Sequence, residues 1–133
     1  MKYMLDTNIC IYIIKNKPES VIKHLKAKQS DGLAISAITL TKLEHGVAAS
    51  AFPEKNALAL MQFMVIARCL PFTHRAAAEY GRIRAGLQRR GMPIGALDML
   101  IAAHAKSEGL TLVTNNTREF ERVEGLDLED WAV

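Results

Sequence analysis

Short apolar blocks and stripes of helical period alternate along this chain. Met1–Leu5, Leu33–Ser36, Cys69–Phe72, Leu110–Thr114 and Leu126–Leu128 read as strands, brief and bounded by polar or turn residues. Helices fill the intervals. The first covers Thr7–Lys15, and the second opens at Pro18, a tolerated first-turn position, and runs to about Gln29. Asp31-Gly32 is a turn before the second strand. Leu40, Leu43 and Val47 stripe a helix over Thr39–Ser50, and Pro53 starts another to about Ala67. Thr73 caps a long helix with Ala76, Tyr80, Ile83 and Leu87 inward, closing on Gln88-Arg89-Arg90-Gly91. Pro93–Gly95 links it to a further helix, Asn115–Arg118 is a loop, and Thr117 caps a single turn with Phe120 inside. This alternation predicts one α/β domain over residues 1–133, its mostly parallel sheet covered on both faces.

Half of the 133 residues are hydrophobic, so a substantial core is expected and disorder is not. No apolar run approaches the ~18 residues of a membrane span. Asp6 and Asn8 within the first ten residues do not suit a secretory signal, so the expected location is cytoplasmic. Cys10 and Cys69 lack metal-ligand spacing and read as reduced core thiols, which leaves zinc unsupported. Lys and Arg outnumber Asp and Glu by 17 to 14, a mild excess compatible with a polyanionic partner.

Two acids change the picture. The first strand stops on Asp6, and Asp98 interrupts an apolar helical pattern. An acid at the end of a buried run is costly unless paired or bound to a cation. In parallel sheets, sites form at the carboxyl ends of strands, where both Asp6 and Asn115–Glu119 fall. Each residue also has a plainer reading. Asp6 suits a helix N-cap, Asp98 a capping or ion-paired acid, Asn116 any loop, and Glu119 the first turn of a short helix. His104 reads as packed or at the solvent edge, His45 as surface. The Leu58–Val65 segment, with Met61 and Met64, reads first as core and second as a docking face.

Several segments, in order, resemble a known family. They are Met4-Leu5-Asp6-Thr7-Asn8; Ile38-Thr39-Leu40 followed by Gly46; Gly91-Met92-Pro93-Ile94-Gly95-Ala96-Leu97-Asp98; Leu112 through Phe120; and Asp127-Leu128-Glu129-Asp130-Trp131. Together they resemble a PIN-domain ribonuclease of the VapC toxin type. The resemblance implies a three-layer α/β/α domain, usually a homodimer, held inactive by a VapB-type antitoxin. It implies Mg²⁺- or Mn²⁺-dependent hydrolysis of structured RNA, such as a transfer RNA or a ribosomal RNA loop. Carried onto this chain, it makes Asp6 and Asp98 metal-binding catalytic carboxylates, with Asn116 and Glu119 completing the pocket and Thr114 orienting a water or carboxylate. With RNA as substrate, Arg82, Arg84, Arg89, Arg90 and Arg118 become candidate phosphate contacts, against the plainer reading of a solvated helix face.

One position departs. The family pattern in the third helix is Thr-x-x-Glu with a glycine four residues later; Thr39 and Gly46 match, but Lys42 stands at the Glu. At ~5 Å and an effective dielectric of ~20, a unit-charge interaction is about 3 kcal/mol, so the exchange weighs heavily against metal binding. Glu44 lies about 200° round the helix and is a poor substitute. Lys42 is an inactivating substitution, a variant that contacts phosphate, or a side chain turned to solvent. A non-catalytic PIN scaffold that binds antitoxin or RNA is the alternative function. Phosphatase and receiver readings fit less well: Asn8 stands where a phosphatase needs a second acid, and no phosphorylatable acid is evident on a middle strand.

Overall fold

The computed structural model, which covers residues 1–133, is organised on five strands: β1 (Tyr3–Leu5), β2 (Leu33–Ser36), β3 (Arg68–Leu70), β4 (Thr111–Val113) and β5 (Leu128–Glu129). All pair in parallel, in the order β3-β2-β1-β4-β5. β1 is therefore central, and the chain reverses its direction of winding across it. The crevice between β1 and β4 is a topological switch point, the place where parallel sheets put their sites.

Seven helices cover the sheet: α1 (Thr7–Ile14), α2 (Glu19–Lys28), α3 (Ala37–Ala48), α4 (Pro53–Phe63), α5 (His74–Arg89), α6 (Ala96–Ser107) and α7 (Thr117–Phe120). The two-residue alternation of the strands divides the core. Tyr3, Leu5, Leu33, Ile35 and Val113 pack with Val21, Leu25, Leu43, Leu60 and Phe63 from α2, α3 and α4. Met4, Ala34 and Leu112 pack with Ile83, Leu87, Ile101 and Ala105 from α5 and α6. The result is the expected three-layer α/β/α arrangement.

Several boundaries differ from the sequence reading. α3 starts at Ala37, because Ser36 caps it and accepts a 3.1 Å hydrogen bond from the Ile38 amide. α4 stops at Phe63, and Met64–Ile66 turn the chain back towards the sheet. β3 ends at Leu70; the next residue, Pro71, has no amide to give a ladder. β5 lies at Leu128–Glu129, since it pairs with Leu112 and Val113, while Leu126 packs into the α5–α6 core from the preceding loop. Thr117 is the first residue of α7 and Asn116 its cap position. Gly32 answers a double constraint: its φ is +92°, and a Cβ there would stand 2.8 Å from the Met1 Cα.

His104 is fully buried, with its Nδ1 2.7 Å from the Ser36 hydroxyl and its ring edge-on to Phe72 at 5.4 Å; burial lowers its pKa. His45 is exposed. Both cysteines are free, Cys10 in the core and Cys69 half-buried. The Leu58–Val65 segment corrects the core reading: Leu58 and Met61 on α4 and Val65 in the turn after it are exposed, along with Phe52 before the helix. No helix is long and apolar enough to cross a membrane.

The carboxy-terminal segment clasps the sheet. Trp131 is fully buried, edge-on to Tyr3 at 5.4 Å and stacked on His24 at 5.9 Å. Its indole donates to Glu129 Oε1, which also accepts from Lys28 at 2.6 Å. Replacing Trp131 with Ala removes this plug and leaves a cavity against β1. Urea unfolding should show a loss of ~3–5 kcal/mol, whereas a peripheral clasp would cost less than ~1 kcal/mol.

Candidate active site

Register builds this site. Leu5 pairs with Val113 across β1 and β4, so Asp6 and Thr114 are the next residues on adjacent strands. The Asp6 amide donates to the Val113 carbonyl at 2.9 Å, carrying the pairing one residue past β1. By alternation, both side chains fall on the face of Met4 and Leu112, under α6. The Thr114 hydroxyl donates to Asp6 Oδ2 at 2.8 Å. Asp6 Oδ1 accepts from the Thr7 amide at 2.7 Å, so Asp6 is also the N-cap of α1. The plain capping reading is therefore correct, and it uses only one of the two oxygens.

The hydrogen bonds continue from there. The Asn116 amide donates to the Thr114 hydroxyl at 3.0 Å, and the Asn116 side chain donates to Glu119 Oε2 at 2.6 Å. The other Glu119 oxygen accepts from the Gly95 amide at 2.9 Å. Asp98 sits on the first turn of α6 beside that amide: a Cβ on Gly95 would meet Asp98 Oδ2 at 3.4 Å and Glu119 Oε1 at 3.8 Å. Gly95 thus lies in contact range of both carboxylates. Asp6, Thr114, Asn116 and Glu119 form one continuous polar row, with Asp98 at its end.

The charges interact strongly. Burial, then the charges of Glu119 and Asp6, raise the Asp98 pKa from 3.8 to about 6, while Lys42 opposes the rise. Glu119 is held below the usual range by the Gly95 amide first, with the Asn116 side chain and a hydrogen bond to Asp98 adding to it. Lys42 is half-buried, near enough to act on Asp98, and makes no ion pair within 4 Å. Glu44 is exposed.

The five singled-out arginines do not act as one group. Arg82, Arg89 and Arg90 line a common groove between α5 and α6. Arg84 lies off it, donating to the Tyr80 hydroxyl at 2.9 Å, and Arg118 is exposed on α7. Sequence reasoning missed the Gly95 amide, which no side-chain pattern advertises. It also missed the rim where Asn115 meets Asn8 at 3.5 Å and the Tyr12 hydroxyl at 3.1 Å.

The PIN-domain family model matches residues 3–126. The chain is 48% identical over 132 residues to the tRNA(fMet)-specific endonuclease VapC of Shigella flexneri, covering 99% of each chain. The chain belongs to the PIN-domain family, on its VapC branch. Among solved structures, this PIN domain resembles VapBC2 from Rickettsia felis bound to a promoter DNA fragment, with a TM-score of 0.93 at 40% identity over 98% of this chain and 99% of that one. DNA-bound VapBC from Salmonella typhimurium gives a TM-score of 0.92 at 46% identity over 98% of each chain. The family match also corrects one step in setting the receiver reading aside. Asp6 does end a central strand, so the sheet order and the family, not a missing acid, exclude a receiver.

The raised Asp98 pKa has a definite sign. The folded chain holds that proton more tightly than the unfolded chain, so Asp98 lowers stability as pH rises from about 4 to about 6. Its half exposure screens the effect to ~1 kcal/mol. Metal-free Asp98→Asn should therefore be more stable than the parent at pH 7.5, with the gain vanishing near pH 4. Urea midpoints across that range test it; a pH-independent difference would show that burial and the neighbouring charges do not disfavour the ionised carboxylate.

Proposed function

We propose that this PIN domain is a metal-dependent endoribonuclease toxin that cuts structured RNA and is neutralised by a VapB-type antitoxin. The observation that carries the reading is the hydrogen-bonded row that joins Asp6 to Glu119 at the switch point, with Asp98 beside Glu119 at its end. The relatives support it in kind: one is a tRNA(fMet)-specific endonuclease, and the solved neighbours are VapBC assemblies. Transfer RNA is accordingly the first substrate to test. The exposed apolar row of Leu58, Met61 and Val65 offers a surface for the antitoxin or a second copy of the chain.

No three His, Cys, Asp or Glu side chains converge tightly enough to enclose an ion. The donors nevertheless fit a hard cation. All are oxygens, and Mg²⁺ is commonly held by one or two carboxylates with water and substrate phosphate completing its shell. Asp6 and Asp98 would hold it, with Glu119 beside them. When bound, such an ion relieves charge on the phosphodiester and lowers the pKa of a water. The chain's own residues set the geometry. Thr114 and the Thr7 amide fix the Asp6 carboxylate, and Asn116 and the Gly95 amide fix Glu119. Burial, then the charges of Glu119 and Asp6, disfavour the ionised Asp98 and give this point a standing preference for added positive charge.

Lys42 gives the second reading its specific support: a PIN scaffold that binds antitoxin or RNA but cuts weakly. An ammonium whose charge reaches Asp98 repels a divalent cation and replaces a potential oxygen ligand. After solvent screening, the exchange of repulsion for attraction is worth ~1–2 kcal/mol in metal binding. Lys42→Glu is therefore expected to tighten Mn²⁺ binding about tenfold by calorimetry and to raise the rate of transfer RNA cleavage. Asp6→Asn should abolish cleavage in both backgrounds, and EDTA should stop it reversibly. Equal Mn²⁺ affinity and rate in parent and Lys42→Glu would remove Lys42 as the weakening residue. Cleavage that survives EDTA would remove the metal-dependent reading.

A further inference from the structure

The outer face of α5 carries Arg75, Arg82 and Arg89 at intervals of seven residues. Seven residues are close to two helical turns, so the three guanidinium groups stand in one stripe spanning ~21 Å. Two adjoining concavities run along this stripe, about 310 and 290 Å³ in volume, and share Glu79, Arg82 and Lys106. Arg90 and Glu124 flank the upper one. The groove holds five cations and two acids, a surplus of three.

Internal pairing does not account for it. Arg82 bonds Glu79, Lys106 approaches Glu79 at 3.9 Å, Arg90 approaches Glu124 and Arg75 donates to the Ser107 carbonyl at 2.8 Å, but the Arg82 and Arg90 side chains are 69% and 40% exposed, and such surface pairs contribute little to stability. Arg82 also keeps unused donors, because its contacts to Glu79 run through Nε and Nη2 to one oxygen. Arg89 is exposed and has no partner within the chain. The upper end of the groove abuts the acidic site. Arg90 donates to the Arg122 carbonyl at 2.8 Å, and Arg122 donates to the Pro93 carbonyl at 2.9 Å, two residues before the Gly95 amide that holds Glu119.

We propose that this groove is a track for the RNA backbone flanking the cut site, with Arg75, Arg82 and Arg89 contacting successive phosphates. The proposal rests on the ribonuclease reading and extends it to a second surface. The groove contains no Phe, Tyr or Trp on which bases could stack, so it supplies affinity and register without reading sequence.

Fluorescence anisotropy of a labelled 20-nucleotide RNA, in EDTA and across 50–300 mM KCl, tests it. Each lost phosphate contact reduces the slope of log affinity against log salt by ~0.7 for a single strand. Arg75→Gln/Arg82→Gln/Arg89→Gln should lower the slope by about 2 and weaken binding, and Arg89→Gln alone by about 0.7. Lys17→Gln/Lys23→Gln/Lys26→Gln, on the opposite layer, should leave both unchanged. Circular dichroism checks folding; if the triple arginine variant unfolds, Arg89→Gln decides. Unchanged binding by the arginine variants, or an equal loss in the lysine control, overturns the track while leaving the ribonuclease reading intact. Displacement of the RNA by a poly-glutamate peptide of equal charge reassigns the groove to an acidic protein segment and also overturns it. A parent chain that neither binds nor cuts RNA removes both readings.

Discussion

The bond from the Thr114 hydroxyl to Asp6 is the contact around which the rest is arranged. It closes the central pair of strands, and it satisfies a carboxylate that is only 5% exposed. A buried acid without partners would cost several kcal/mol or take up a proton. Here one oxygen starts α1 and the other receives Thr114, whose hydroxyl also accepts the amide that leads into α7. A single side chain thus begins a helix, ends a strand and fixes a loop. Shifting the β1–β4 register by one residue would turn Asp6 and Thr114 to opposite faces and dismantle all three together.

Asp98 stands in the opposite situation. It has no cationic partner within ion-pair distance and faces two other acids, with the α6 amino terminus and Lys42 as partial relief. A fold selected for stability alone would not keep such a carboxylate ionised. Functional sites commonly hold an unfavourable arrangement that the surrounding structure over-determines. The surroundings here are firm: Gly95 is bonded through Glu119, and Pro93 through Arg122, on either side of Ile94 in the core. The repulsion therefore cannot relax by moving the helix away.

The sequence revealed what depends on local pattern. Strand apolarity, the stop at Asp6, Thr73 as a cap and Gly91 after α5 all follow from neighbouring residues and appear in the structure. Features set by distant pairing were not legible. β5 takes its position from Leu112 and Val113, about fifteen residues earlier, and its own composition does not mark Leu128 over Leu126. α3 begins at Ala37 rather than at Thr39 because β2 ends on Ser36, which caps the helix under the buried His104. The polar row was half legible. Asp6 and Glu119 could be named, but the register that joins them through Thr114 and Asn116 belongs to the sheet. Arg75 was open to view through its spacing from Arg82 and Arg89; Lys106, on another helix, was not.

Placing an acidic pocket beside a basic groove separates two demands that a single site would confuse. Phosphates are repelled by Asp6, Asp98 and Glu119 unless a cation intervenes, so the pocket alone attracts no RNA. The proposed groove contacts would attract it without a metal and be screened by salt rather than by chelator. In this arrangement affinity for RNA and capacity to cut depend on different residues, joined only through Arg90, Arg122 and the Pro93–Gly95 segment. Lys42 belongs to the pocket side of that division. On the proposed metal-dependent reading its charge would act on the metal-requiring step and leave the groove untouched, so a chain weakened there would still engage RNA. Loss of cutting at Lys42 and retention of binding through α5 are compatible within one fold, because no side chain serves both surfaces.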